Sequence, residues 1–424
     1  MKERILQYGE GRFLRGFIEC FFQTLNDETD FDGSIVIVQP RKNGHCGELE
    51  DLGCKYTHIS RGLKNGTPVS ESTEINIISR CVNAYEDYEG YLKLAENPDL
   101  RYIISNTTEA GIQYNSEDKL DSAPQNTFPA RITALMYRRF KVGGKGFVFL
   151  PCELIDNNGE ALKALILRYG DEWGLGEDFK KWVEEENIFC NTLVDRIVTG
   201  YPTGEEIPPE IDNSFLNTSE LYHLWVIQNG EKVKEELPFD KTDLNIIFTD
   251  DIEQYHTRKV RILNGAHTSM IPYALLKGVE TVGECMANDE IYSHLRRCVY
   301  DEIIPTLDMP VEELTEYADA VMERFKNPYI QHQCSAIALN SISKFKVRVL
   351  PSILDYIKRY NKIPNNLVFS LYCLIKFYRS GKANDDEQLI KYINDHCLGD
   401  ILANADLWGE DISFLKQEVA KYDN

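Results

Sequence analysis

The chain has 424 residues, 43% of them hydrophobic and 27% charged, the composition of a globular protein with room for two or three domains. Its 68 acidic side chains outnumber 46 basic ones and give a formal net charge of −22 at pH 7. A surface this acidic repels phosphate backbones, so nucleic acid is not an expected partner. No apolar run approaches the ~20 residues that cross a bilayer, so no membrane partner is expected either.

The N-terminus, Met1-Lys2-Glu3-Arg4-Ile5, turns polar at Gln7 and has no apolar leader, which predicts a cytoplasmic protein. Eleven cysteines are scattered from Cys20 to Cys397 without a C-x-x-C pair, the pattern of reduced thiols and not of a disulfide framework or a zinc site.

In chain order, residues 5–8 predict a short strand that ends at Gly9-Glu10-Gly11, followed by an aromatic-rich helix over 13–25. Residues 34–39 form a β-branched run stopped by Pro40. Two further strands are predicted at 101–105, before Asn106-Thr107-Thr108, and at 146–150, before Pro151. Continuous apolar strands separated by helical stretches predict an α/β fold with a parallel-rich sheet covered on both faces. The stretch 201–212, with Pro202, Pro208 and Pro209, reads as a loop inside this first domain.

From Tyr255 onward the pattern is helical. Pro310 with Glu312 and Glu313 marks a helix start before 311–325, and further helices are predicted over 367–377 and 385–393. The expected division is 1–254 and 255–424.

A glycine turn between a first strand and a helix is where a dinucleotide pyrophosphate is held. Glycine lets the backbone approach, and the helix N-terminus supplies N–H donors. Gly9 and Gly11 fit, while the third glycine position holds Leu14; such a turn can equally be only a turn. Phe13 and Arg15 open the following helix, and Arg15 is placed to add charge for a phosphate. No carboxylate ends the second strand. Gln39 there can hydrogen-bond a ribose hydroxyl and Arg41 can favour a 2′-phosphate, so the residues leave NAD and NADP open. The loop Asn106-Thr107-Thr108-Glu109-Ala110-Gly111 follows a third strand and reads either as a ligand loop or as a helix cap.

The segment His256 to His267 carries the chemistry. Taken as an α-helix, Lys259, His267 and Asn264 fall at ~0°, ~80° and ~140° on one side, while Val260, Ile262, Leu263 and Ala266 need burial. A lysine on a part-buried face has its pKa drawn towards neutrality, which suits a general acid or base, and an amide beside it can donate to a developing alkoxide. The competing interpretation is a solvated basic helix with one satisfied histidine. The remaining histidines form no HxxxH or HExxH pair, so no metal is expected.

Lys259-x-x-x-x-Asn264-x-x-His267 resembles the signature of the long-chain mannitol dehydrogenase family of metal-independent polyol dehydrogenases. So do Gly9-x-Gly11-x-Phe13-x-Arg15, Thr108-Glu109-x-Gly111, Phe128-Pro129-Ala130-Arg131, Asn158-Gly159 and Val194-Asp195-Arg196-Ile197, in the same order. Further strings, among them Pro151-Cys152-Glu153-Leu154-Ile155-Asp156, Arg324-Phe325-x-Asn327-Pro328-x-x-x-His332 and residues 338–345, resemble the sugar-acid branch, whose members interconvert D-tagaturonate and D-altronate with NAD(H) in hexuronate breakdown.

The resemblance implies an N-terminal Rossmann-type domain, a mainly helical C-terminal domain and a site between them. It makes Lys259 the general acid/base, Asn264 an oxyanion donor, His267 a substrate-orienting partner and Lys344 and Asp195 substrate-site residues, with His332 supporting the Lys344 helix. It implies NAD as cofactor and a small sugar acid as partner, and leaves the oligomeric state open. The departures are Leu154 for a second oxyanion asparagine, Ala336 for an arginine, His256 for a glutamate and Gln39-Pro40 for an aspartate. They weaken the case for a neutral polyol. Fructuronate, a mannitol-type polyol and a catalytically inactive nucleotide-binding regulator remain the alternatives. A substrate carboxylate needs a cation, and Lys344, Arg196, Arg261 and Arg348 are the candidates.

Overall fold

A computed structural model describes residues 1–108, 110–202, 207 and 215–423. The chain divides into two compact units: Met1–Arg61 with Ser70–Ile252, and Gly62–Val69 with Glu253–Asn424.

The first unit is organised by a six-stranded sheet. Its strands are β1 (Lys2–Tyr8), β2 (Gly33–Gln39), β5 (Ile78–Asn83), β6 (Tyr102–Ser105), β7 (Val148–Pro151) and β8 (Ile188–Phe189). They lie in the order β5-β2-β1-β6-β7-β8, and every pairing is parallel. All seven residues of β2 are buried, as expected of a parallel strand covered on both faces.

Alternation along the strands sends side chains to opposite faces. Ile5, Ile35, Ile37 and Ile104 meet Phe17, Phe21 and Phe22 on one side. Leu6, Val36, Val38 and Ile103 meet Ile132, Leu135 and Leu162 on the other. Each such side chain contributes roughly 1.5–3 kcal/mol on burial.

The chain builds outward from β1 through β2 to β5, then returns to place β6 on the other side of β1. The carboxyl ends of β1 and β6 therefore form the switch point of a doubly wound, Rossmann-type sheet, where such folds bind ligands. The four strands predicted from sequence are all in this sheet.

Two smaller sheets escaped prediction. One has the order β10 (Val198–Gly200), β11 (Asn217–Ser219), β3 (Tyr56–Lys64) and β4 (Thr67–Ile75). The other has β13 (Ile246–Thr249), β12 (Leu224–Gln228) and β9 (Thr192–Asp195). The β3–β4 hairpin turns at Asn65-Gly66, both in the left-handed region at φ 54° and 76°, as a two-residue turn requires. Its tip belongs to the second unit, where the Gly66 N–H donates to Glu323 Oε1 at 2.9 Å.

The second unit is helical. Among the described residues, no strand follows Thr249, and one isolated bridge joins Thr281 to Gln333. The helix Val311–Phe325 has the predicted bounds, and that over 367–377 extends to Asn365–Arg379. The helix Gly265–Leu276 is buried from Gly265 to Ala274 and packs against Asn365–Arg379 and Ser341–Arg348. It is apolar around its circumference, as a central helix must be. Immediately before it, Lys259–Asn264 is π-helical, as is Arg297–Ile303 farther on. No helix among the described residues is long and apolar enough to cross a membrane.

Candidate active site

At the switch point the backbone does most of the shaping. Gly9 sits at φ 122°, a conformation that side chains rarely adopt, and its N–H donates to Val38 O at 3.1 Å. Its carbonyl accepts from Gln7 Nε2 at 2.8 Å, and the same amide donates to Glu19 Oε1 at 2.7 Å. Tyr56 closes the network by donating to Glu19 Oε2 at 2.7 Å. Burial pushes the Glu19 carboxyl up from its ordinary value.

Leu14, at the third glycine position, lies beneath the turn, with its Cδ1 3.4 Å from where a Gly9 Cβ would stand. Gly11 caps the short helix Arg12–Arg15, and a Cβ there would meet no protein atom within 4 Å. The turn therefore offers backbone donors and open space above Gly11, which fits a pyrophosphate.

Two residues expected here are used otherwise. Arg15 donates to Phe215 O at 2.9 Å and lies over the Phe215 ring at 4.2 Å, so its charge is committed to packing. Phe13 stacks on Phe17 with centroids 5.0 Å apart. Arg12, in the first turn of the same helix, is exposed.

The adenosine end of the expected site is a cavity of about 410 Å³ lined by Gln39, Lys42, Glu50, Asn83, Glu86 and Asp87 among others. Gln39 folds its own loop: Nε2 donates to the Arg41 and Lys42 carbonyls at 2.8 and 3.1 Å, and Oε1 accepts from Cys46 N at 3.3 Å. Glu50, Glu86 and Asp87 place carboxylates on the lining of the same cavity, beside the cations Lys42 and Arg80.

After β6, Thr108 takes φ 72°, a left-handed value that is strained for a β-branched residue and is found at functional turns. The loop is pinned from below. Glu153 Oε1 accepts from Thr107 N and Thr107 Oγ1, both at 2.9 Å, and Oε2 accepts from Ser105 Oγ at 3.1 Å. Burial raises the Glu153 carboxyl above its ordinary range. Glu109 lies outside the described residues.

In the second unit the α-helical wheel needs correction. A π-turn bonds residue i to i+5 and is wider than an α-turn, so Lys259 and Asn264 stand roughly 50° apart instead of ~140°. Both are half-buried, whereas Arg261, Ile262 and Leu263 face the interior. Arg258 lies over the Tyr317 ring at 4.4 Å. Arg261 donates to Ser352 Oγ at 2.7 Å, to Thr306 Oγ1 at 3.1 Å and to Asp355 Oδ2 at 3.0 Å. The two arginines that flank Lys259 are therefore structural. The Asn264 side-chain amide has no hydrogen-bond partner among the described residues.

His267 is 9% exposed and its Nδ1 is buried without a partner among the described residues. Its ring stacks on Phe325 with centroids 4.1 Å apart and meets His332 edge-on at 5.2 Å. Burial first, then the charges of His332, Arg324 and Arg348, hold its pKa well below the ordinary value, so the ring is neutral near pH 7. Lys344 donates to Ile337 O at 2.9 Å; burial and the Arg348 charge lower its pKa. His332 therefore touches His267 itself, beyond the supporting role expected of it. Asp195 ends β9 in the first unit and is buried; the neighbouring Arg196 is consumed by Gly16 O, Ser60 Oγ and Glu220 O.

Two family models match, the mannitol dehydrogenase Rossmann domain over residues 3–241 and the mannitol dehydrogenase C-terminal domain over 251–421. The chain belongs to the mannitol dehydrogenase family. Curated relatives include the altronate oxidoreductase of Enterobacter sp. strain 638, 46% identical over 393 residues that cover 91% of this chain and 81% of the relative. That of Escherichia coli is 43% identical over 439 residues, covering 97% and 91%.

Among solved structures, a D-sorbitol dehydrogenase in substrate-free form superposes with a TM-score of 0.84 at 22% identity, covering 99% of this chain and 92% of that one. The Pseudomonas fluorescens mannitol 2-dehydrogenase ternary complex with NAD and D-mannitol gives 0.72 at 21% identity, covering 100% and 91%. These two likenesses speak for the fold.

Leu154, which stands where the resemblance places a second oxyanion asparagine, is 62% exposed after β7. The Glu153 clamp on Thr107 was not foreseen; its only sequence signal is a carboxylate directly after the strand–Pro151-Cys152 stop.

Proposed function

We propose that this member of the family is an NAD(H)-dependent oxidoreductase that interconverts the ketone of D-tagaturonate with the alcohol of D-altronate. The observation that carries the substrate is the 43–47% identity to altronate oxidoreductases over more than nine-tenths of the chain. The proton-transfer chemistry finds support in the π-turn, which sets an amine and an amide without a partner among the described residues on one face.

When bound, NADH supplies the hydride for ketone reduction and NAD accepts it in alcohol oxidation. In reduction, the Asn264 amide donates a hydrogen bond to the carbonyl oxygen and holds the forming alkoxide, and protonated Lys259 transfers its proton to that oxygen. In oxidation, neutral Lys259 removes the hydroxyl proton. Neutral His267, three residues after Asn264, serves as the substrate-orienting partner. On the adenosine cavity the three carboxylates Glu50, Glu86 and Asp87 outnumber the two cations Lys42 and Arg80, a balance that disfavours a 2′-phosphate and favours NAD over NADP.

Initial rates of NADH oxidation with tagaturonate, fructuronate and fructose, measured side by side and repeated with NADPH, test the reading. Tagaturonate with NADH should be preferred by tenfold or more. Equal turnover of fructose, or preference for NADPH, would sink it.

A further inference from the structure

The sugar acid of the proposed reaction carries a carboxylate, and the four cations considered from sequence have different fates. Arg196 is engaged by three oxygens of its own unit, and Arg261 by Ser352, Thr306 and the carboxylate of Asp355. Lys344 has given one of its three donors to Ile337 O. Arg348 has no hydrogen bond and no ion pair among the described residues, although it is partly buried.

Its position is fixed by packing. The helix Ser341–Arg348 lies against both the π-turn and the helix Gly265–Leu276. A Cβ at Gly265, the residue after Asn264, would stand 3.2 Å from the Arg348 carbonyl oxygen. Arg348 is also four residues after Lys344, so the two cations share a helix face. Its charge acts on both His267 and Lys344. A part-buried guanidinium without a hydrogen bond or ion pair among the described residues has donors left for an anion. A carboxylate matches its planar fork with two parallel hydrogen bonds.

We propose that the Arg348 guanidinium binds the substrate carboxylate and so selects sugar acids over neutral sugars. This rests on the reading of His267 and Lys344 as substrate-site residues.

The test compares wild type, R348K and R348Q. R348Q should raise the KM for tagaturonate by about 10²-fold with a much smaller change in kcat, and R348K should fall between, keeping the charge but not the fork. Calorimetry with D-gluconate on the NADH-loaded protein reads the same site without turnover: binding to wild type should be lost in R348Q, and NADH affinity should not move.

A tagaturonate KM within twofold of wild type in R348Q, or gluconate binding that survives the substitution, overturns the proposal. So does a loss of affinity that tracks a fall in melting temperature equally in R348K and R348Q, since that is the mark of a structural helix-end charge. A wild type that binds gluconate through Arg348 but does not reduce tagaturonate would refute the substrate reading and leave the carboxylate site standing.

Discussion

The dinucleotide end of the first unit and the π-turn of the second use polar groups in opposite ways. Around Gly9 the side chains are committed: Gln7, Glu19, Tyr56 and Gln39 hold the loops, and Arg15 packs on Phe215. What remains open there is backbone N–H and empty space, and that requirement falls on φ values at Gly9 and Thr108.

In the π-turn the arrangement is reversed. The backbone is bonded within the helix, while the side chain of Asn264 and, in the helix that follows, the Nδ1 of His267 have no hydrogen-bond partner among the described residues. A phosphate-binding surface can be built from main chain, because its ligand reads only charge and shape. A proton-transfer site needs particular side chains left open, and unpaired buried polar groups destabilise the fold by roughly 1–3 kcal/mol each.

Replacing Asn264 with Ala is the largest blow to this contrast. If the amide is held for an oxyanion, kcat should fall by about 10²–10³-fold while NADH affinity is kept. Steady-state kinetics with a fluorescence titration of NADH checks both halves, and a change confined to NADH affinity would break the division of labour.

His294 is the sealed counterpart of His267. Its Nε2 faces Ser370 Oγ at 3.0 Å, and burial holds its pKa down at about 4 from 6.5. The unfolded chain takes up this proton below about 6.5 and the folded chain does not. Wild type should therefore lose stability relative to H294Q as the pH falls from about 6.5 towards 4, by about 1.4 kcal/mol per pH unit. Urea unfolding of the two proteins at pH 7.5, 6 and 5 measures the difference, and a flat difference would place His294 in a wetter site than the structure gives it.

Gly9→Ala puts a side chain at φ 122°. The expected cost is about 1–2 kcal/mol of stability, and relaxation of the strained turn should make NADH bind roughly tenfold more weakly, with kcat at saturating cofactor little changed. Unaltered affinity would mean that the turn is not where the pyrophosphate is held.

The smallest effect belongs to Arg15→Met. Loss of one hydrogen bond and the ring contact should reduce stability by about 1 kcal/mol and leave NADH affinity within about twofold. A tenfold loss of affinity would restore Arg15 to the phosphate and blur the line between the two regions.

The central sheet is legible in the sequence because β1, β2, β6 and β7 are continuous apolar runs, the direct signature of strands buried on both faces. Strand β4, Thr67–Ile75, is mostly exposed and polar, so no apolar run marks it. The Lys259, Asn264 and His267 set was visible as a pattern of residue types, but its geometry was not. Nothing in Lys-Val-Arg-Ile-Leu-Asn distinguishes a π-turn from an α-turn, and that choice decides whether Lys259 and Asn264 converge. Gln39 and Arg15 show the complementary limit. Residue type gives the capacity to bind a ligand, and only tertiary partners decide whether the capacity is already used.

The measurement closest to the central claim is the rate of NADH-dependent tagaturonate reduction by Lys259→Ala, taken with its NADH affinity. Proton transfer from Lys259 predicts a fall in kcat on the order of 10²-fold or more at unchanged NADH affinity. Turnover equal to wild type would contradict the account and remove Lys259 from the chemistry.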